Sequence, residues 1–390
     1  MKILTPNLSA FVNAMISALV SVLLTVSLYW VAPSPAHADT TLSALEDQMN
    51  SLIQAEGQSK KMTLILESES GVRFIASVLE EPDDFLYLPD STTKWITSLV
   101  ILDQVAKGNL SLDTKAADLL AERADWPQTG NLSQITLRHL LAQTSGLVDN
   151  PSCSYLPFYS IEGCVKQIAR IHEKYSDDPD YAPGNGFFYA YAHFQVAGLM
   201  AIEAAQRTEP DREMDWDRLL RDFKAGTGLM PRAFYIIPNP WNPMLSGGMS
   251  WKALDYHEAI RAMYHRQVLT PDLINAMLAP QTLDSVPDPA QKFAFNPMSE
   301  QGYDLGVMQY GLGNWVEGDT DEDGVWQSWG RNSSGGLFGS YPFMSEQDGY
   351  FGVLAKQSTP RTFDEAYAFF EQLEPLIRQW AELANQSQPQ

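Results

Sequence analysis

The segment from Ser91 to Lys107 predicts a helix whose apolar residues cover much of its circumference. The apolar positions are Trp95, Ile96, Leu99, Val100, Leu102 and Val105. A surface helix carries a single apolar stripe, so this wider distribution predicts a helix that other elements bury. Gly108 is expected to end the helix, because glycine readily takes the left-handed backbone conformation found there.

Predicted strands lie towards both ends of the chain and predicted helices lie in its middle. A helix is expected at 42–57, strands at 62–67 and 72–79, and a mainly helical stretch at 110–290. Strands are expected again near 304–316, 335–344 and 349–356, before a final helix at about 362–384. We therefore predict an α/β (α+β) fold, with one antiparallel sheet built from both chain ends and flanked by helices. Residues 39–90 and 300–385 would form this sheet lobe, residues 91–299 a mainly helical lobe, and a cleft between them a ligand site.

The N-terminus has the pattern of an export signal over residues 1–38. Lys2 supplies a positive charge, residues 8–31 are apolar, and Ala36-His37-Ala38 is a small-x-small run before Asp39. We predict cleavage after Ala38 and a periplasmic or secreted protein. The apolar stretch is long for a signal, so an uncleaved membrane anchor is the alternative.

The net charge and the cysteines add to this prediction. A formal net charge of −22 repels nucleic acid, and we exclude it as a partner. The chain has two cysteines, Cys153 and Cys164, which in an oxidising compartment would form a disulfide. The alternative is two separate buried thiols.

Ser91-Thr92-Thr93-Lys94 is the only S-x-x-K sequence in the chain. At helical spacing these two side chains share one face, so the Lys94 amine can reach the Ser91 hydroxyl. Such a pair suits a nucleophile and its base. Taken alone, the tetrapeptide favours the alternative of a helix-capping serine and a surface lysine, and only its context reverses this preference.

Two longer segments resemble the class C β-lactamase and D-alanyl-D-alanine carboxypeptidase family. Residues 88–113, LPDSTTKWITSLVILDQVAKGNLSLD, resemble its active-site helix and the G-x-L-x-L-D turn that follows. Residues 135–147, ITLRHLLAQTSGL, are similar to its ITLRHLLSHTSGL segment, in which His139 would be structural. The resemblance implies a β-lactamase-like fold and a penicillin-recognising serine hydrolase with Ser91 as nucleophile and Lys94 as its activating neighbour.

A third segment, residues 183–198, PGNGFFYAYAHFQVAG, resembles the family's PG-x-x-F-x-Y-S-N-x-x-Y-x-L-L-G. The resemblance implies that Tyr189 is the tyrosine that moves a proton between nucleophile and leaving group. The alternative for Tyr189 is a core aromatic residue. Tyr191 stands where the family has an asparagine that contacts the substrate amide and the lysine.

A fourth and weaker match is residues 329–342, WGRNSSGGLFGSYP, where relatives carry His/Lys-x-Gly on the sheet edge. Here Ser333-Ser334-Gly335 replaces that triplet, and the amide of Gly336 would form an oxyanion hole with that of Ser91. A cation for a substrate carboxylate would then be missing unless Arg331 supplies it. We expect these positions to contact the substrate.

The resemblance implies an acyl-enzyme mechanism that needs no metal or organic cofactor. The substrate would be a small molecule or a peptide: an ester, a peptide amide or a β-lactam. The altered positions Tyr191 and Ser333 favour an esterase or a peptidase over an efficient β-lactamase. A non-catalytic binding protein that keeps the fold is the alternative. The acidic run 319–324 mimics a calcium loop, but Gly330 stands where the loop needs glutamate, so we expect a plain acidic turn.

Overall fold

The structure is a computed structural model that describes residues 41–57, 60–88, 91–148, 151–235, 237–282, 308–323, 325–358 and 363–387. The described residues from Leu45 onwards form one compact unit. The predicted export signal, residues 1–38, lies outside the described residues. Within the described ranges, no helix is both long enough and apolar enough to cross a membrane.

Helices occupy most of the middle of the chain and both ends of the described part. They are α1 (Leu42–Glu56), α2 (Thr93–Ala106), α3 (Ala116–Leu120), α4 (Leu137–Leu141), α5 (Ile161–His172), α6 (Ala192–Thr208), α7 (Trp216–Thr227), α8 (Ala253–Tyr264), α9 (Pro271–Leu278) and α10 (Phe363–Gln386). The strands are β1 (Lys61–Ser68), β2 (Arg73–Ser77), β3 (Phe234–Tyr235), β4 (Met249–Ser250), β5 (Gln309–Tyr310), β6 (Trp315–Thr320), β7 (Trp326–Ser333), β8 (Tyr341–Ser345) and β9 (Tyr350–Gln357).

Within the described residues, strands from the early and late parts of the chain form one seven-stranded antiparallel sheet, as predicted. Its order is β2-β1-β9-β8-β7-β6-β5. Strand β1 pairs with β9 along its whole length, from Lys61 opposite Gln357 to Ser68 opposite Tyr350. Because β1 and β9 are buried on both faces, the sheet must be covered on both sides.

Side-chain alternation shows that α8 and α10 cover opposite faces of this sheet. The ring of Phe343 in β8 lies 4.7 Å from that of Phe370 in α10. Phe351 in β9 is paired with Met344, the next residue along β8, and therefore points to the other face. There its ring lies 4.6 Å from that of Tyr264 in α8. Helix α1 joins α10, because Trp380 Nε1 donates to Glu46 Oε1 at 2.9 Å.

Helix α2 is enclosed as its apolar pattern predicts. Trp95, Ile96, Leu99, Val100 and Leu102 are fully buried, and the helix packs against α6 and α7. It begins at Thr93, two residues later than predicted, and Val105 is only partly buried.

The late strands differ from the prediction in their boundaries. The predicted strand at 335–344 was wrong over its first half, since residues 334–340 form a loop between β7 and β8. Strand β7 itself was missed.

Cys153 and Cys164 are bonded, with an S–S distance of 2.08 Å, which confirms the predicted disulfide. The bond joins a short 3-10 turn at Ser152–Ser154 to the first turn of α5. It holds the intervening loop against the helical part of the molecule.

Candidate active site

Ser91 and Lys94 lie together at the start of α2. The Lys94 Nζ atom donates to Ser91 Oγ at 3.0 Å. Ser91 is half-buried, whereas the side chain of Lys94 is fully buried. The predicted capping alternative for Ser91 does not describe the contact, because the serine oxygen accepts from a buried amine. A hydroxyl within hydrogen-bond reach of a lysine amine is the arrangement that an activated serine needs.

A second acceptor fixes the Lys94 amine, and no pattern in the sequence indicates this acceptor. Lys94 Nζ also donates to the carbonyl oxygen of Ser246 at 2.9 Å. The backbone of the preceding residue, Leu245, is held by two hydrogen bonds: its amide donates to Gln195 Oε1 at 2.8 Å and its carbonyl accepts from Thr97 Oγ1 at 2.6 Å. This bonding fixes the position of the next carbonyl, that of Ser246.

The segment before Ser246 is tied into the same network by buried amides. Gln195 Nε2 donates to Asn242 Oδ1 at 3.0 Å, and Asn242 Nδ2 donates to the carbonyl of Cys153 at 2.9 Å. Gly248 lets the chain turn tightly here, because a Cβ at that position would lie 2.8 Å from the Met244 carbonyl oxygen. The disulfide loop, the 237–248 segment and Lys94 therefore form one connected structure.

Two tyrosine rings lie beside the Lys94 amine. The Nζ atom is 4.4 Å from the ring centre of Tyr189 and 5.6 Å from that of Tyr191. Both tyrosines are half-buried, and Tyr191 immediately precedes α6. Tyr189, predicted to be the proton carrier, is thus brought to the amine, and Tyr191 takes the place predicted for a contact to the lysine.

Each of these tyrosines packs against further aromatic rings. Tyr189 stacks on Trp315 with ring centres 5.3 Å apart and an interplanar angle of 15°, and Tyr310 lies edge-on to both. Tyr191 is met edge-on by Tyr155 at 5.4 Å. We name these the Tyr189–Trp315 wall and the Tyr191–Tyr155 wall. Tyr155 and Trp315 could not be predicted as partners from the sequence, because aromatic residues far apart in the chain carry no pairing signal.

The loop after β7 contacts the backbone of the predicted nucleophile, Ser91. Ser334 Oγ donates to the carbonyl oxygen of Ser91 at 3.2 Å, and Ser333 is fully buried at the end of β7. The amide of Gly336 donates to the Ser340 carbonyl at 2.9 Å, inside the loop that contains Gly335. An oxyanion hole that uses this amide would require the Gly336–Ser340 bond to open.

Arg331, the predicted alternative cation for a substrate carboxylate, is occupied elsewhere. Its Nε donates to Glu317 Oε2 at 2.6 Å, and its Nη1 donates to Glu374 Oε1 at 3.2 Å beneath α10. Only 4% of the side chain is exposed. Burial alone would lower the pKa of Arg331, but the Glu317 carboxylate raises it well above its usual range. This pairing disfavours the predicted contact between Arg331 and a substrate.

Two histidines hold the loops around the site. His193 is fully buried between the Ser145 hydroxyl, 2.9 Å from Nδ1, and the Phe188 carbonyl, 2.8 Å from Nε2. A carbonyl only accepts, so Nε2 carries the proton and the Ser145 hydroxyl donates to Nδ1. Burial lowers the pKa of His193 to about 3. His139 forms a capping box with Thr136 at the start of α4, in keeping with its predicted structural role.

The acidic run 319–324 was predicted to be a plain turn. Among its described residues, the Asp321 carboxylate accepts from the amide of Asp323 and also from that of Val325, which follows the run. Across the described ranges, no cluster of three or more histidine, cysteine or carboxylate side chains has the spacing to hold a metal ion.

Known proteins resemble this chain over most of its length. A family model described as Beta-lactamase matches residues 83–375. A candidate beta-lactamase from Bacteroides dorei DSM 17855 is 22% identical with a TM-score of 0.65, over 86% of this chain and 99% of that chain. The octameric penicillin-binding protein homologue from Pyrococcus abyssi is 17% identical with a TM-score of 0.59, over 85% of this chain and 77% of that chain.

EstCE1, a hydrolase with promiscuous acyltransferase activity, is 16% identical with a TM-score of 0.61, over 88% of this chain and 99% of that chain. No curated protein sequence matches. At these identities the solved structures show a shared fold, and function has to be argued from the site itself.

Proposed function

Because the chain belongs to the beta-lactamase family, we propose that it is a serine hydrolase that forms an acyl-enzyme on Ser91. The contact of 3.0 Å between the Lys94 amine and the Ser91 hydroxyl carries the proposal. A buried lysine whose amine bonds the half-exposed serine suits proton removal from that serine.

In the proposed reaction, Ser91 Oγ attacks a substrate carbonyl carbon and loses its proton to Lys94. The new Oγ–C bond forms, the bond from that carbon to the leaving group breaks, and the leaving group takes a proton from Lys94 or Tyr189. Water then attacks the acyl carbon, and Ser91 regains its proton. The position of the Tyr189 ring, 4.4 Å from the amine, supports its part in this relay.

The proposed substrate is an ester or a peptide amide in preference to a β-lactam. Ser333 stands where relatives have a cation, and Arg331 is bonded to two carboxylates. A β-lactam or a D-alanyl-D-alanine end carries a carboxylate, which this arrangement leaves without a charged partner.

A non-catalytic binding protein is the second candidate. The bond from the Gly336 amide to Ser340 favours it, since this amide is a predicted oxyanion donor. A binding protein would form no covalent adduct.

Intact-protein mass spectrometry after incubation with a fluorophosphonate, an activated ester and a penicillin separates these candidates. We expect a fluorophosphonate adduct on the parent protein and on Ser98→Ala, a matched variant whose buried hydroxyl lies on the same helix. Ser91→Ala should carry none. A folded parent protein that stays unlabelled by all three probes would establish the binding protein instead.

We also propose that the protein is exported. The disulfide between Cys153 and Cys164 supports an oxidising compartment, periplasmic or extracellular. The mass of the exported protein tests the signal: loss of residues 1–38 is expected, and an intact N-terminus would indicate a membrane anchor.

A further inference from the structure

The two aromatic walls both lie close to the reacting atoms. The Lys94 amine is 4.4 Å from the ring centre of Tyr189 in one wall and 5.6 Å from that of Tyr191 in the other. The amine bonds Ser91 Oγ, so both walls are within reach of a group attached to the attacked carbonyl. Aromatic faces attract apolar and planar groups in this position.

The Tyr191–Tyr155 wall reaches the protein surface. Tyr155 is 45% exposed, and Phe158 on the same loop is 73% exposed. This loop is held at two points, because Asn239 Nδ2 donates to the Pro157 carbonyl at 2.9 Å and Cys153 is bonded to Cys164. An exposed apolar surface on a fixed loop beside a nucleophile is suited to binding a ligand rather than to packing.

The charges near the site disfavour an anionic ligand. Ser333 is neutral where the family has a cation, and the guanidinium of Arg331 is bonded to Glu317 and Glu374. A formal net charge of −22 repels anions further.

From these contacts we propose that the site selects uncharged esters with an apolar acyl group, which lies along the Tyr191–Tyr155 wall towards Phe158. The inference rests on the proposed function, since it assigns the substrate class of the same Ser91 site. The reaction transfers that acyl group to Ser91 Oγ with release of the alcohol, and water then releases the carboxylic acid.

A series of p-nitrophenyl esters with one leaving group tests the acyl preference. We expect kcat/KM to rise at least about tenfold from the acetyl to the octanoyl ester, because apolar contacts discriminate strongly between chain lengths. An acyl group of similar length that ends in a carboxylate should be at least about tenfold poorer than the octanoyl ester, for want of a cation.

Tyr155→Ala locates the preference on the wall. It should lower the octanoyl-to-acetyl ratio by about 2–10-fold, the range that one aromatic contact contributes. Ile75→Ala is the matched control, since Ile75 is 40% exposed on β2, at the far edge of the sheet, and this variant should keep the parent ratio.

The outcomes separate the two levels of the proposal. Turnover with no dependence on acyl length, a preference for the carboxylate-ended ester, or an unchanged ratio in Tyr155→Ala would overturn the substrate class and leave the serine hydrolase intact. No turnover of any ester and no fluorophosphonate adduct at Ser91 would overturn both.

Discussion

At the scale of single residues, proton transfer by the Tyr189 hydroxyl can be tested separately from the packing of the Tyr189 ring. Tyr189→Phe keeps the ring stacked on Trp315, whose centre is 5.3 Å away, and removes only the hydroxyl. If that hydroxyl moves the proton, kcat for ester hydrolysis should fall by about 10²–10⁴-fold with little change in KM. Steady-state kinetics with the activated ester measure this directly.

Tyr175→Phe is the control for this substitution. Tyr175 also stacks on an aromatic ring, that of Tyr181 at 4.0 Å, but lies in the segment that follows α5. It should keep parent activity. Parent-like kcat in Tyr189→Phe would assign the whole proton relay to Lys94.

The lowered pKa of His193 makes the free energy of unfolding depend on pH. Its pKa is about 3 in the folded protein against 6.5 for an unperturbed histidine, so below 6.5 the unfolded chain binds the extra proton. The stability from neutral His193 is therefore complete above pH 6.5 and is lost as pH falls towards 3. We expect the free energy of unfolding to fall by about 2 kcal/mol between pH 6.5 and about pH 5.

Urea unfolding of the parent and of His193→Gln at both pH values isolates this contribution. Burial also lowers the pKa of His139, so the parent alone would report both histidines. The variant should lose the part due to His193 and show a flatter dependence on pH. An identical pH dependence in both proteins would contradict a neutral, buried His193.

At the element scale, Lys94 depends on a segment with no helix or strand over most of its length. The Ser246 carbonyl that accepts from Lys94 follows Leu245, whose amide donates to Gln195 of α6. Gln195→Leu leaves the Leu245 amide and Asn242 Oδ1 unpaired in a buried place, at a cost of about 1–3 kcal/mol for each group. Since the Ser246 carbonyl is then free to shift, kcat should fall while KM changes little.

Gln372→Leu is the control for this element, because Gln372 is an exposed glutamine on α10. Both variants would be assayed well below their unfolding transitions, together with the rate of fluorophosphonate labelling at Ser91. Lower stability with parent labelling in Gln195→Leu would mean that Gln195 supports the fold without positioning Lys94.

The elements that could be predicted from the sequence are those with a local pattern of apolar residues. Helix α2 could be predicted because its apolar residues repeat at helical spacing, and β1 because five apolar and β-branched residues precede a Ser-Gly turn. Strand β7, WQSWGRNS, escaped prediction because its sequence is largely polar and Gly330 interrupts it with φ at +71°. Its position depends on pairing with β6 and β8, which are set by the rest of the sheet.

The same limit applies to the candidate site. Ser91 and Lys94 could be paired from the sequence because side chains three residues apart at the start of a helix lie on the same side. The Ser246 carbonyl could not, since any residue type carries a carbonyl and the contact spans 152 positions. The partners of Arg331 could not either, because Glu317 and Glu374 reach it only after β6 and α10 have packed.

At the scale of the whole molecule, the two chain ends stabilise the sheet that supports the site. Strand β1 near one end pairs with β9 near the other, and α1 and α10 meet through the Glu46–Trp380 bond. The loop after β7 that reaches Ser91 extends from this same sheet. Because the described residues from Leu45 onwards form one compact unit, we expect them to unfold in one transition. Loss of the packing between α1 and α10 should therefore lower the urea concentration at which the site around Ser91 unfolds.

Trp380→Ala tests this coupling from a distance. Trp380 is fully buried in α10, so its removal should lower the free energy of unfolding by about 3–5 kcal/mol. Unfolding in urea would be followed by tryptophan fluorescence and by fluorophosphonate labelling of Ser91. Both transitions should move together to lower urea, while labelling in the absence of urea stays at the parent rate.

Ile75 is exposed on β2, so Ile75→Ala should change the free energy of unfolding from either probe by no more than about 0.5 kcal/mol. If Trp380→Ala shifted the fluorescence transition and left the labelling transition at the parent urea concentration, the helical part would keep Ser91 and Lys94 together without the sheet. The site would then depend on α2, α6 and the 237–248 segment alone. The contact between Ser334 and the Ser91 carbonyl argues against that outcome, since it joins the nucleophile to the end of β7.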